Sequence, residues 1–160
     1  MHTIGEQMLK LLLGGYFNDL ASHGLDLFCY LIGNIKNAQG FSNNQQSFYD
    51  ATDAVTASWI HENGITGTGI WNFGSHSHLD EVTIFGSKGK IEFPIFHDNP
   101  LILRSESKNE SIFIENPNHI QQYHVEGMRD ELILKNYKHP STGASGLHTN
   151  WIMDKILGTL

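Results

Sequence analysis

Gly14-Gly15-Tyr16-Phe17-Asn18-Asp19-Leu20-Ala21-Ser22-His23-Gly24-Leu25-Asp26, running on to Leu31-Ile32-Gly33, divides at the helical period into two faces. Phe17, Leu20, Ala21, Leu25, Phe28, Leu31 and Ile32 form one apolar stripe, and Asp19, His23, Asp26 and Tyr30 line the other side. The stripe builds a core. The polar side is open to three readings: a solvated surface, an organic active site, or a metal site using Asp19, His23 and Asp26 with ligands from elsewhere. A carboxylate and an imidazole four residues apart on a helix reach the same small molecule, one orienting and the other moving a proton.

Outward from this helix the period changes. Gly33 ends it, and the Asn- and Gln-rich residues 34–47 read as a loop or an edge strand. Residues 54–62 alternate, with Val55, Ala57 and Trp59 on one side and Thr56, Ser58 and Ile60 on the other. Asn63-Gly64 predicts a type I′ hairpin into residues 65–73. Residues 80–85 and 90–95 form a second hairpin around Gly86-Ser87-Lys88-Gly89, and residues 101–106 with 111–115 a third. One helix is expected to open at Asn118, with Gln121 three residues on, and another near Ser141 or Thr142. Strands in the middle with helices at both ends predict an α+β fold: an open, predominantly antiparallel sheet with helices packed on one face. The other face, carrying residues such as Trp59, Ile70 or Phe85, then needs cover, and a homodimer or higher homo-oligomer through it is expected.

Composition narrows the function classes. A chain of 160 residues with 39% hydrophobic and 11% aromatic content holds one sizeable core. Ten Lys and Arg against seventeen Asp and Glu leave a net charge of −7, which argues against nucleic acid or an anionic membrane as partner. Cys29 is the single cysteine, so an intrachain disulfide is impossible, and its neighbours Phe28, Tyr30 and Leu31 mark it as a packed thiol. Neither a basic leader nor an apolar run of about 20 residues is evident, so a cytoplasmic location is expected.

Two further clusters carry side chains of ligating or capping type. His76-Ser77-His78-Leu79-Asp80 has loose metal-ligand spacing, but ten histidines make such pairs common by chance, and a polar loop is the better reading; no metal is expected. Lys138-His139-Pro140-Ser141-Thr142-Gly143 places Ser or Thr at a helix entry, where capping outweighs anion binding.

The helix, with Gly14-Gly15-x-x-x-Asp19-x-x-x-His23-x-x-Asp26, resembles the signature helix of the C-terminal domain of the Gfo/Idh/MocA oxidoreductases. That family includes glucose-fructose oxidoreductase, inositol dehydrogenase and dihydrodiol dehydrogenase. Further stretches match in order: Phe48-Tyr49-Asp50-Ala51-Thr52-Asp53-Ala54, Gly67-Thr68-Gly69-Ile70-Trp71-Asn72-Phe73, Ile84-Phe85-Gly86-Ser87-Lys88-Gly89, Pro117-Asn118-His119-Ile120-Gln121-Gln122 and Pro140-Ser141-Thr142-Gly143. The match covers residues 14–160, expected to be a substrate-binding and oligomerisation domain, and leaves 1–13 poorly matched. Many relatives carry a third glycine where Leu13 stands, so the approach of backbone to ligand departs from their pattern there.

Members of the family begin with a Rossmann domain. Its Gly-rich turn has no counterpart here: Gly64-x-x-Gly67-x-Gly69 has the wrong spacing and sits in a strand-like run, where glycines mark close backbone approach or a bulge. The Glu-Lys-Pro motif of that domain is absent too. The resemblance implies an NAD(P)-dependent sugar or polyol dehydrogenase whose cofactor, NAD or NADP, is held by the missing domain, with no cofactor expected for this chain alone. It implies His23 and Asp19 as the catalytic pair, His23 handling a hydroxyl proton and Asp19 orienting substrate or imidazole. Tyr16, Asn18, Asp26, Trp71 and Phe73 are the expected substrate-binding residues. Hydride transfer needs both halves in contact, so the isolated domain is expected to be inactive. The alternative is a stand-alone, non-catalytic dimerisation or small-ligand-binding module.

Overall fold

The computed structural model describes residues 14–160; the segment 1–13, Leu13 included, lies outside the described residues. These residues form two compact units, one of residues 14–76 with 140–160, the other of residues 77–139.

The first unit is a two-layer α/β arrangement. A π-turn, Phe17–Ala21, runs directly into helix α1, Ser22–Ile32. Strands β1 (Ile35–Asn43), β2 (Ala54–His61) and β3 (Thr66–Asn72) follow as an antiparallel sheet in sequence order. The expected edge strand is thus β1, which among the described residues pairs only with β2. Helix α3, Gly143–Leu157, closes the unit against β1 and α1. The alternation in β2 turns Val55, Ala57 and Trp59 inward, where they meet Phe17, Ala21 and Leu25 from the first helix and Ile152, Met153 and Ile156 from the last. Trp59 is therefore core, 7% exposed, and no part of an outer patch. On the outer face Phe41, Thr56 and Ile70 are cross-strand partners in one row, with Phe41 86% and Ile70 78% exposed.

The β2–β3 turn differs from the type expected. Gly64 alone has a positive φ, +88°, whereas a type I′ turn needs it at Asn63 as well. The N–H of Gly64 donates to the His61 carbonyl at 3.0 Å, and that of His61 to Ile65 at 2.8 Å, a three-residue loop closed by a left-handed glycine. Asn63 is diverted by its side chain, which donates to the Ile32 carbonyl at 2.8 Å and so satisfies the end of α1.

The second unit holds a four-stranded antiparallel meander: β4 (Val82–Gly86), β5 (Gly89–Phe93), β6 (Leu101–Ser105) and β7 (Asn109–Ile112). The α+β class with antiparallel strands is as expected, and the strands fall into two ladders, of three and four. Phe85 is exposed on β4. Helix α2, Gln122–Ile133, starts later than Asn118: a turn with the Gln122 N–H on the His119 carbonyl precedes it, and no side chain caps it. By contrast α3 begins where capping chemistry predicts, with Thr142 and Ser145 forming a reciprocal capping box. Among the described residues no helix is long and apolar enough to cross a membrane.

Candidate functional site

The polar side of the first helix is built on a π-turn that the apolar period does not reveal. Such turns recur at functional sites because the wider ring displaces side chains from their regular places. The turn holds Asn18 and Asp19, five and four residues ahead of His23. Phe17 and Ala21, fully buried within the same turn, anchor it to the core. Asp19 and His23 are exposed, and the Asp19 carbonyl accepts from the Ser22 hydroxyl at 2.6 Å.

Asp26 is engaged by the last helix. It lies half-buried between helices, where its carboxylate accepts from the Thr149 hydroxyl of α3 at 3.2 Å, a tie between α1 and the last helix. Trp71 also turns toward the core: its ring meets Phe17 edge-on at 5.1 Å. Tyr16 and Phe73 come together, with ring centroids 5.8 Å apart, and Tyr16 remains 55% exposed just ahead of the π-turn. Burial pushes the thiol of Cys29 above its ordinary value, against a backbone hydrogen bond from Ile35 and with the charge of Asp26. A packed, protonated thiol is a poor nucleophile.

Sequence reasoning passed over two residues that the fold brings to this place. Asp53, 2% exposed, accepts from the N–H groups of Gln45 and Gln46, each at 2.7 Å, and so shapes the loop of residues 44–53 between β1 and β2. That loop carries Tyr49, whose ring meets Tyr16 edge-on at 6.0 Å. Burial, then the charge of Asp53 and the neighbouring Tyr16, push the Tyr49 phenol up. The available signal was an aromatic residue stranded in a polar loop. Gly15 allows the loop to close on the helix: its φ is +48°, and a Cβ there would lie 2.8 Å from that of Ala51.

The glycines of β3 do not fit a dinucleotide. A Cβ on Gly67 would strike the indole of Trp59, and one on Gly69 the indole of Trp71, so both spaces are filled by side chains of the unit itself. They are close-approach glycines, and no pyrophosphate cradle forms there. In the second unit, the carboxylate of Asp80 from the His76–Asp80 stretch is engaged by the backbone of Ile95, Phe96 and His97, and His78 meets the His97 ring edge-on at 6.4 Å. Among the described residues no group of three or more His, Cys, Asp or Glu side chains is placed to hold a metal ion.

Comparison with known proteins gives a consistent picture. Residues 7–92 match the profile of the GFO/IDH/MocA C-terminal domain. Oxidoreductase P35 of Formosa agariphila is 34% identical over 148 residues, covering 91% of this chain and 44% of that protein. The fold is similar to that of a UDP-N-acetylglucosamine 3-dehydrogenase from Acidithiobacillus ferrooxidans, with a TM-score of 0.73, 15% identity, and 86% of this chain on 44% of that one. It is also similar to an oxidoreductase from Agrobacterium radiobacter solved with NAD+, L-tartaric acid and magnesium, at 0.72 and 15%, with 91% of this chain on 47% of that one. This chain thus spans less than half the length of each of these proteins.

Proposed function

The chain belongs to the GFO/IDH/MocA C-terminal domain family, part of an oxidoreductase, and from that premise we propose that it is the substrate-binding and oligomerisation part of an NAD(P)-dependent enzyme acting on a CH–OH group of a sugar or polyol. The observation that supports this reading is the core-anchored π-turn at the start of α1, which bears the exposed Asp19 and is followed two residues on by the exposed His23, with the ring pair of Tyr16 and Phe73 just ahead of it in the fold. His23 takes the proton of the reacting hydroxyl as a general base and returns it in the reverse direction. Asp19, one turn earlier, orients the imidazole or a neighbouring hydroxyl, and Asn18 supplies a donor and an acceptor for a second hydroxyl. Asp26 serves by fixing α1 to α3 through Thr149, and Trp71 by packing behind the turn on Phe17.

The nicotinamide cofactor is assigned to another part of the assembly, since the glycines nearest to a fingerprint here are filled by indoles. A solved relative that acts on UDP-N-acetylglucosamine, and another bound to L-tartaric acid, support a polyhydroxylated substrate. The exposed row of Phe41 and Ile70 on the outer sheet face supports the oligomerisation role.

Calorimetric titration with NADH, NADPH and a panel of sugars and polyols tests the reading. Binding of a polyhydroxy compound that weakens in Asp19→Asn and His23→Ala, with little cofactor binding, is expected. Tight cofactor binding without any sugar binding overturns it. With a cofactor-binding domain supplied by fusion, His23→Ala is expected to lower turnover by roughly 10²–10⁴, with folding unchanged.

A further inference from the structure

We infer that Tyr49 is a specificity-determining residue of the proposed site: with Tyr16 and Phe73 it forms an aromatic wall beside the Asn18 and Asp19 turn, on which the C–H face of a pyranose or cyclitol ring stacks. The inference rests on the assignment of Asp19 and His23 above.

Tyr16 stands in the middle, in ring contact with Tyr49 at 6.0 Å on one side and Phe73 at 5.8 Å on the other. Tyr49 is 38% exposed, so the wall still offers aromatic surface to a ligand. An aromatic residue in a surface loop is useful for binding only if its place is settled beforehand, because ordering it on binding costs affinity. The loop around Tyr49 meets that condition. Asp53 holds the amides of Gln45 and Gln46. The Asn44 side chain accepts from the Ser47 N–H at 2.8 Å and donates to the Tyr49 carbonyl at 2.5 Å. Ser47 adopts a left-handed φ of 58°, which bends the chain at that point. The end of the loop then lies against Gly15, with the Thr52 carbonyl 3.3 Å from where a Cβ would be. Tyr49 is therefore tied through its own backbone to a loop fixed at both ends.

The ligand chemistry follows from what the wall adjoins. Aromatic faces favour C–H-bearing or flat apolar surface, while Asn18, Asp19 and His23 favour hydroxyls. A saturated ring with C–H groups on one face and hydroxyls around its rim satisfies both at once. A planar nucleobase satisfies only the first.

The test is saturation-transfer NMR and calorimetric titration of the full 160-residue chain with methyl β-D-glucopyranoside and myo-inositol, with uridine as the planar control. Wild type is compared with Tyr49→Phe, Tyr49→Leu, Tyr49→Ala and His23→Ala. Because the anchoring bond to residue 49 uses its backbone carbonyl, these variants keep the loop's own hydrogen bonds. Tyr49→Phe is expected to bind the cyclic polyols within twofold of wild type. Tyr49→Leu and Tyr49→Ala are expected to bind roughly two- to tenfold more weakly, with transfer to the ring C–H protons falling most. Wild-type affinity in the Leu and Ala variants, alongside a loss in His23→Ala, overturns the role of Tyr49 and leaves the site standing. Uridine binding with equal dependence on Tyr49 overturns the ligand class. No binding of either polyol by wild type overturns both the wall and the site beneath it.

Discussion

The indole N–H of Trp59 donates to Nε2 of His61 across 3.2 Å, inside the core of the first unit. Because indole nitrogen can only donate, Nε2 must be the accepting nitrogen, and the proton sits on Nδ1, which donates to the Gly33 carbonyl. His61, 1% exposed, is thus a histidine with a partner on each ring nitrogen that links the end of α1 to the sheet, and its role is structural. His61→Leu leaves an indole N–H and a helix-end carbonyl unpaired in an apolar setting, at about 1–3 kcal/mol for each. Urea unfolding is expected to show a lower midpoint at unchanged slope. An unchanged midpoint would mean that neither bond contributes.

At Gly40 the sheet packs directly on Ile156 of α3. A Cβ on Gly40 would lie 2.6 Å from the Thr56 carbonyl oxygen and 2.8 Å from both the Cγ2 and the carbonyl oxygen of Ile156. Two of these atoms are backbone, one on β2 and one on α3, and they give way only if the neighbouring strand and the helix both move. Gly40→Ala is therefore expected to destabilise by about 1–3 kcal/mol, the usual range for overpacking. The expected signature is faster hydrogen exchange in α3, centred on Ile152 and Ile156. Full stability in this variant would show that α3 has room to shift.

Much of this arrangement was legible in the chain because it is local. The alternation of Val55, Ala57 and Trp59 names the inward face of β2, and the Thr142 and Ser145 pair names the start of α3, since each signal lies within a few residues. The π-turn at Phe17–Ala21 was not legible, because no residue type separates it from an ordinary helical turn and its width is set by how Phe17 and Ala21 seat in the core. The turn at Asn63 was misread for a related reason: its side chain answers to a carbonyl at Ile32, distant in sequence. At the proposed site, the Asp19 and His23 spacing was visible directly. Tyr49 was not, since its place depends on Asp53 holding the loop and on Gly15 receiving it.

Phe41 and Ile70, on either side of Thr56 in the outer row, test the oligomerisation role. Side chains this exposed contribute little to the fold of one chain, so Phe41→Ser with Ile70→Ser is expected to leave thermal unfolding almost unchanged. Sedimentation is expected to show the double variant shifting from oligomer toward monomer. A wild-type chain that sediments as a monomer at high concentration sinks that part of the proposal.

Asp80 gives the second unit a defined acid sensitivity. Partial burial pushes its carboxyl up, but the N–H groups of Ile95 at 3.0 Å and Phe96 at 2.7 Å, with the ring and backbone of His97, outweigh this and hold it below the ordinary value. A carboxylate with a depressed folded-state value contributes stability that is fully present above its unfolded value, about 3.9. That contribution is lost as pH falls through the folded value. Asp80→Asn keeps the size of the side chain but replaces one accepting oxygen with a donor facing N–H groups. It is expected to cost about 1.5–3 kcal/mol at pH 7, the range for hydrogen bonds to a charged group. Below about pH 4 the gap between variant and wild type is expected to begin to narrow, and it closes only once the pH passes below the depressed folded-state value, where the wild-type carboxyl is protonated. Hydrogen exchange at the amides of Ile95 and Phe96, followed from neutral to acid pH after correction for the intrinsic rate, reads this directly. A gap that stays constant across that range would show that the ionised form of Asp80 is not what holds the loop.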